Sequence, residues 1–160
     1  MLLTAPSSVE IGSRRIRRLF TFSSWCFVAI GTSHFAVMAS SLAGTREPAV
    51  RKAFDAMHAA PVTLFGITRD MGTLYNGFSA TMALLAIGFG LVNLIVVRVA
   101  PEALTRGTSL LWTVTAVTTA ALAIAIMAFP APPIGALAAA LTGCLLALGT
   151  SRRIRAGEPR

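Results

Sequence analysis

MGTLYNGFSATMALLAIGFGLVNLIVV, residues 71–97, contains no charged side chain and sorts its polar and small residues onto one helical face. Asn76, Ser79, Ala83, Ala86, Gly90 and Asn93 follow one another at alternating spacings of three and four, which traces a continuous seam along an α-helix. Leu84, Leu85, Leu91, Leu94 and Ile95 fall elsewhere around it. A helix needs roughly 20 apolar residues to cross a hydrocarbon core of about 30 Å. This stretch satisfies that length and carries an inward stripe with a lipid-facing remainder.

Two further windows lack charge. One covers residues 19–45 and the other residues 107–151. The second is too long for one crossing and suits two helices joined by a tight turn. Phe129-Pro130-Ala131-Pro132-Pro133 supplies the break, because proline lacks a backbone donor and disfavours helix at the residue before it. The expected spans are therefore about 19–43, 73–97, 108–129 and 133–150. They form one domain over residues 19–150, flanked by a basic segment at 1–18 and a basic tail at 151–160. The predicted fold is all-α: an integral membrane four-helix bundle with a short amphipathic helix in its first outer loop.

Composition excludes the main alternatives. Of 160 residues 55% are hydrophobic and only 12% are charged, about half the charged share of a soluble domain. A soluble fold of this size has too much surface to hide so much apolar chain. Disordered and disulfide-framework classes fail on the same composition. Cys26 and Cys144 both fall inside expected spans at similar depth, as small packing residues that could touch.

Basic residues near span ends are retained in the cytoplasm. Arg14, Arg15, Arg17, Arg18, Arg98, Arg106, Arg152, Arg153, Arg155 and Arg160 lie on one side, ten in all, against four (Arg46, Arg51, Lys52 and Arg69) on the other. Both termini are predicted cytoplasmic. The net charge of +8 raises nucleic-acid binding as a reading, but the basic residues flank apolar spans without zinc spacing or an RNA-stacking motif. Anionic lipid headgroups are the expected counter-charge, and no nucleic acid is expected. Ser13-Arg14-Arg15-Ile16-Arg17-Arg18-Leu19 echoes a twin-arginine signal, and Ser41-Leu42-Ala43 a cleavage site. The apolar run far exceeds the roughly 7–15 residues of a signal-peptide core. The segment is read as a retained first helix.

Helices in lipid associate through small residues and occasional polar contacts. The first helix offers Ser24, Phe27, Gly31, His34, Met38 and Ser41 on one seam. The third offers Ser109, Thr113, Ala116, Ala120, Ala123 and Met127, and the fourth Ala136, Ala140, Gly143, Ala147 and Thr150. Gly31, Ala83, Ala86, Gly90 and Asn93 are the expected packing residues, with Asn93 bonding another helix end. Short connections predict that the second and third spans, and the third and fourth, are antiparallel neighbours. In the first outer loop Val50, Ala53, Phe54 and Met57 recur at amphipathic helical spacing behind Pro48, with Pro61 as a terminator.

His34 is the ionisable side chain that falls well inside the outer half of a span, and such a group is a functional hypothesis by default. Its alternative reading is a neutral histidine satisfied by one hydrogen bond across helices. Asp70, Tyr75 and Asn76 gather at the outer entrance of the second span. Asp70 suits the cap of that helix and Tyr75 suits the interface. With His34 and Ser79 they form the candidate pocket, which His58 could join from the loop. Two histidines and a carboxylate without ligand spacing predict no metal, and the sequence names no cofactor. Phosphate loops, nucleophile elbows and Cys-X-X-Cys pairs do not occur. No span carries the Asp or Glu that a small proton-coupled exporter needs.

Gly31-Thr32-Ser33-His34-Phe35 in the first helix, the long outer loop with Met57, and Tyr75-Asn76-Gly77-Phe78-Ser79 together carry a family likeness. On them the chain resembles small uncharacterised bacterial four-helix integral membrane proteins over residues 19–97, and more distantly it looks DoxX-like in architecture. The resemblance implies that the histidine and the Tyr-Asn-Gly-Phe-Ser stretch belong together. The expected function is that of a non-catalytic inner-membrane protein, a homo-oligomer or a subunit beside a membrane protein partner, which binds a hydrophobic ligand or that partner. The alternatives are a membrane enzyme or redox accessory acting on a quinone- or lipid-like substrate through His34, and, third, an oligomeric transporter.

Overall fold

The computed structural model describes residues 8–44, 47–105 and 108–157. Arg46, Arg106 and Arg160 of the charge comparison lie outside them. The chain is predominantly helical in the order α1 (Ser8–Ala43), α2 (Pro48–His58), a hairpin of β1 (Pro61–Leu64) and β2 (Ile67–Asp70), α3 (Met71–Val99), a 3-10 turn (Pro101–Leu104), α4 (Ser109–Ala128) and α5 (Ala131–Ala156). Among the described residues four helices, α1, α3, α4 and α5, are long and apolar enough to cross a membrane.

The helices outrun the apolar windows. α1 begins at Ser8 rather than residue 19, and α5 ends at Ala156 rather than residue 150. Packing explains the extension: Ile16 is fully buried, and Gly12 of α1 lies directly against Ile154 of α5. α5 starts two residues before Pro133, because proline is tolerated in a helix's first turn. It stops at Gly157, whose φ of 69° ends the helix in the left-handed conformation that costs glycine little.

α1 is the centre of the bundle. It packs closely along α3 on one side and α5 on the other, both antiparallel, and α4 is held chiefly by α5. The expected pairing of the second and third spans as neighbours is corrected: among the described residues α3 and α4 make no comparably close approach. Their connection is long enough to cross diagonally. It does so through Leu104, which is completely buried under the bundle and whose carbonyl accepts from Ser151 Oγ at 3.4 Å.

Glycines set the helix separations. A Cβ on Gly31 would sit 2.5 Å from the Ala83 carbonyl oxygen, and one on Gly90 would sit 2.6 Å from that of Ser24. One on Gly143 would overlap Ser23 Oγ. Ser23 Oγ donates across the α1–α5 contact to the Ala140 carbonyl at 2.9 Å. Around these approaches sit two apolar clusters. The one nearest the chain termini joins Ile16, Phe20, Val97, Leu104, Leu111, Val114, Cys144 and Leu148. The other centres on Phe27, which meets Phe89 edge to face at 4.9 Å.

The seam of α3 follows its expected register, with Ala83, Gly90 and Asn93 buried, Asn76, Ser79 and Ala86 half-buried, and Leu84, Leu85, Leu91 and Ile95 exposed. The seam expected on α4 is wrong. Ser109, Thr113, Ala116, Ala120, Ala123 and Met127 are all exposed, and the buried face is Leu111, Val114, Thr115, Thr118 and Ala125. Residue size could not separate the faces, since both are rich in alanine and threonine. Thr115 and Thr118 tolerate burial because each hydroxyl donates to its own helix, to Leu111 and Val114 carbonyls at 2.6 Å.

The glycine contacts make a comparative prediction. Gly90→Ala forces α1 and α3 apart against backbone atoms and should cost about 1–3 kcal/mol, lowering the melting temperature of the detergent-solubilised protein. Gly88→Ala, where a Cβ meets nothing within 4 Å, should leave the temperature unchanged or raise it through better helix propensity.

Candidate functional site

The outer end of the bundle is built from the loop upward. Pro48 opens α2, whose fixed φ suits a first helical turn. Pro61 then bounds it by starting β1. The hairpin that follows was not foreseen in the sequence, where residues 61–70 read as loop. β1 and β2 pair antiparallel from Pro61↔Asp70 to Leu64↔Ile67, so Phe65-Gly66 is a two-residue turn. Phe65 at φ 51° and Gly66 at φ 80° give it the twist such a hairpin requires. The usable signal was Val-Thr-Leu and Ile-Thr-Arg around a glycine. It was faint because phenylalanine, unlike asparagine, rarely takes a positive φ. Thr63 and Thr68 hydroxyls meet across the strands at 2.9 Å.

β2 runs without a break into α3, and Asp70 is the hinge residue. Its Oδ1 accepts the Thr73 backbone N–H at 2.7 Å and its Oδ2 accepts the Thr73 hydroxyl at 2.7 Å, capping the helix and opposing its dipole. Oδ1 also accepts from His58 Nδ1 at 2.7 Å. A carboxylate can only accept, so the proton of that contact sits on Nδ1. The His58 ring lies against Gly72, where a Cβ would come within 2.6 Å of it. Met71 N–H donates to the Ala60 carbonyl at 2.9 Å. Thus the end of α2, the base of the hairpin and the start of α3 are tied at one point. Thr73 and Gly72 had not been singled out in the sequence. Their signal was an Asp-X-X-Thr cap with a glycine inside it.

His58, expected in the loop, is therefore a partner of Asp70. Tyr75 is half exposed, and its ring meets Phe54 of α2 edge to face at 6.1 Å. Asn76 is half-buried on the seam of α3. One turn further along, Ser79 Oγ and His34 Nε2 share a hydrogen bond of 2.6 Å between α3 and α1. With Nε2 unprotonated, the Ser79 hydroxyl donates. The five candidate residues are thus divided. His34 and Ser79 are joined, whereas Asp70 is held by Thr73 and His58, and Tyr75 by Phe54.

Asn93 departs from expectation. It is buried on α3, where a bond to another helix end was expected, and its Nδ2 has no hydrogen-bond partner among the described residues. Cys26 and Cys144 are free thiols. Among the described residues no group of three or more His, Cys, Asp or Glu side chains could hold a metal ion.

Compared with known proteins, the chain matches no family model, no curated protein and no solved structure.

The two Thr73 hydrogen bonds, with help from His58, draw the Asp70 carboxyl from its ordinary 3.8 down to about 2. Because the folded value lies below the unfolded one, Asp70 stabilises the helix start fully above about pH 4 and loses that effect as pH falls through 2. The protection of the first α3 amides, relative to their intrinsic exchange rates, should fall over that window in the wild type. In Asp70→Asn these amides should exchange faster at neutral pH and show a flatter acid response.

Proposed function

We propose that this chain is a multi-pass, non-catalytic protein of a bacterial inner membrane, with both termini cytoplasmic, that binds a hydrophobic ligand or a membrane partner. The likeness to small four-helix membrane proteins forms part of the same proposal. Length and apolarity of α1, α3, α4 and α5 support the membrane setting, and so does the outward placement of Leu84, Leu85, Ile95, Ile124 and Met127. In lipid such residues need no protein partner. The basic excess at the terminal end of the bundle supports the orientation.

The observation that carries the non-catalytic reading is the engagement of the candidate groups in building the fold. His34 closes α1 onto α3 through Ser79. Asp70 caps α3 and anchors α2 through His58. His34, His58 and Asp70 are each engaged in positioning an element. An interhelical hydrogen bond of the His34 kind contributes about 0.6 kcal/mol on average and up to about 1.7.

Copurification in mild detergent followed by mass spectrometry tests the function. A stoichiometric apolar molecule or membrane protein is expected, retained by His34→Ala, which should melt a few degrees lower. Turnover of a quinone- or lipid-like compound by the wild type, abolished in a folded His34→Ala, would overturn the reading. Reporter fusions at Gly44, Pro101 and the C-terminus test orientation, with Gly44 expected outside and the other two inside.

A further inference from the structure

Where α1 leaves the apolar region, its Arg14, Arg17, Arg18, Thr21 and Phe22 line an open groove of about 480 Å³ whose far wall is Val97 of α3. These α1 positions recur at three- and four-residue spacings, so they share one face of the helix. The groove is graded along that face. Three guanidinium groups stand at the end nearer the N-terminus, the Thr21 hydroxyl follows, and Phe22 forms the apolar end, while Val97, buried against Ile16 and Phe20, walls the groove beside the arginines. Arg14 is paired with Glu10 at 2.5 Å, whereas Arg17 and Arg18 have no carboxylate partner among the described residues. Phe22 is 53% exposed although it lies inside the uncharged stretch. Cations above, a hydroxyl between and an aromatic ring below match a molecule that carries a phosphate at one end and a hydrocarbon chain at the other.

We propose that this groove is a binding site for one anionic phospholipid of the leaflet on the side of the chain termini. Arg17 and Arg18 take the phosphate through forked, bidentate hydrogen bonds, a geometry the guanidinium group suits and lysine does not. Thr21 donates to the glycerol ester region. One acyl chain lies along the exposed ring of Phe22 into the bilayer. The site rests on the membrane setting proposed above, and holds for either orientation of the bundle because it is defined by the end of α1.

Native mass spectrometry of the detergent-solubilised full chain, titrated with phosphatidylglycerol, tests the site. One tightly held phosphatidylglycerol is expected, with at least tenfold weaker retention of phosphatidylcholine. Arg17→Gln with Arg18→Gln should weaken the phosphatidylglycerol complex by at least tenfold. Arg153→Gln with Arg155→Gln removes the same charge at the same end of the bundle, outside the groove, and should change it less than threefold. Equal losses in the two double variants would overturn the proposal in favour of diffuse electrostatic attraction. Equal retention of the two lipids would overturn it as well, and so would displacement of the lipid by millimolar inorganic phosphate, which would mark a free-phosphate site. Unchanged helical circular dichroism and melting temperature show that the variants are folded. Extraction by carbonate instead of detergent would mean that the membrane setting itself fails, an outcome distinct from loss of the lipid alone.

Discussion

The closeness of α1 to its two neighbours is the constraint on which the rest of the structure depends, and it exists because three positions carry no side chain. Gly31 and Gly90 let the backbones of α1 and α3 touch, and Gly143 does the same for α1 and α5. In the membrane setting proposed above, leucines against lipid supply no net attraction between helices, so contact at this distance is what distinguishes the packed state from separate spans. The polar bonds follow from it. His34 reaches Ser79 because Gly31, one turn away on the same face, has already drawn the helices together. Ser23 reaches the Ala140 carbonyl because α5 presents Gly143 beside it.

How much of this was legible in the sequence varied with the chemistry of each element. The seam of α3 could be read because it mixes two asparagines and a serine with small residues, and polar atoms have one sensible side in an apolar setting. α4 has threonines and alanines all round, and threonine can hide its hydroxyl on its own helix, so periodicity there does not discriminate between faces. Helix extent was misjudged for a related reason. Charge marks where the apolar stretch ends, but Ile16 and Ile154 continue the packing beyond it on faces the arginines do not occupy. The hairpin was hidden by its turn, which places phenylalanine where the backbone favours asparagine or glycine.

The candidate pocket was legible as a neighbourhood and not as a set of bonds. His34 and Ser79 sit on facing seams, which the sequence spacing permits one to anticipate. The allocation of Asp70 depends on His58, brought back by the hairpin, and on Thr73, one turn into the helix. Neither contact is fixed by periodicity. Such local closure ties α2 and the hairpin to the start of α3 although α2 buries none of its residues fully.

The bond from Ser23 to Ala140 joins residues 117 positions apart. The same hydroxyl also lies 3.1 Å from the Leu19 carbonyl of its own helix. In chain order α3 precedes α5, so during synthesis the flank of α1 that faces α5 is covered later than the flank that faces α3. Over that interval Ser23 has an acceptor within its own helix, so the uncovered flank carries no unsatisfied hydroxyl. The order of the helices thus leaves α1 half-covered until α5 is made, and its local back-bonding makes that wait tolerable.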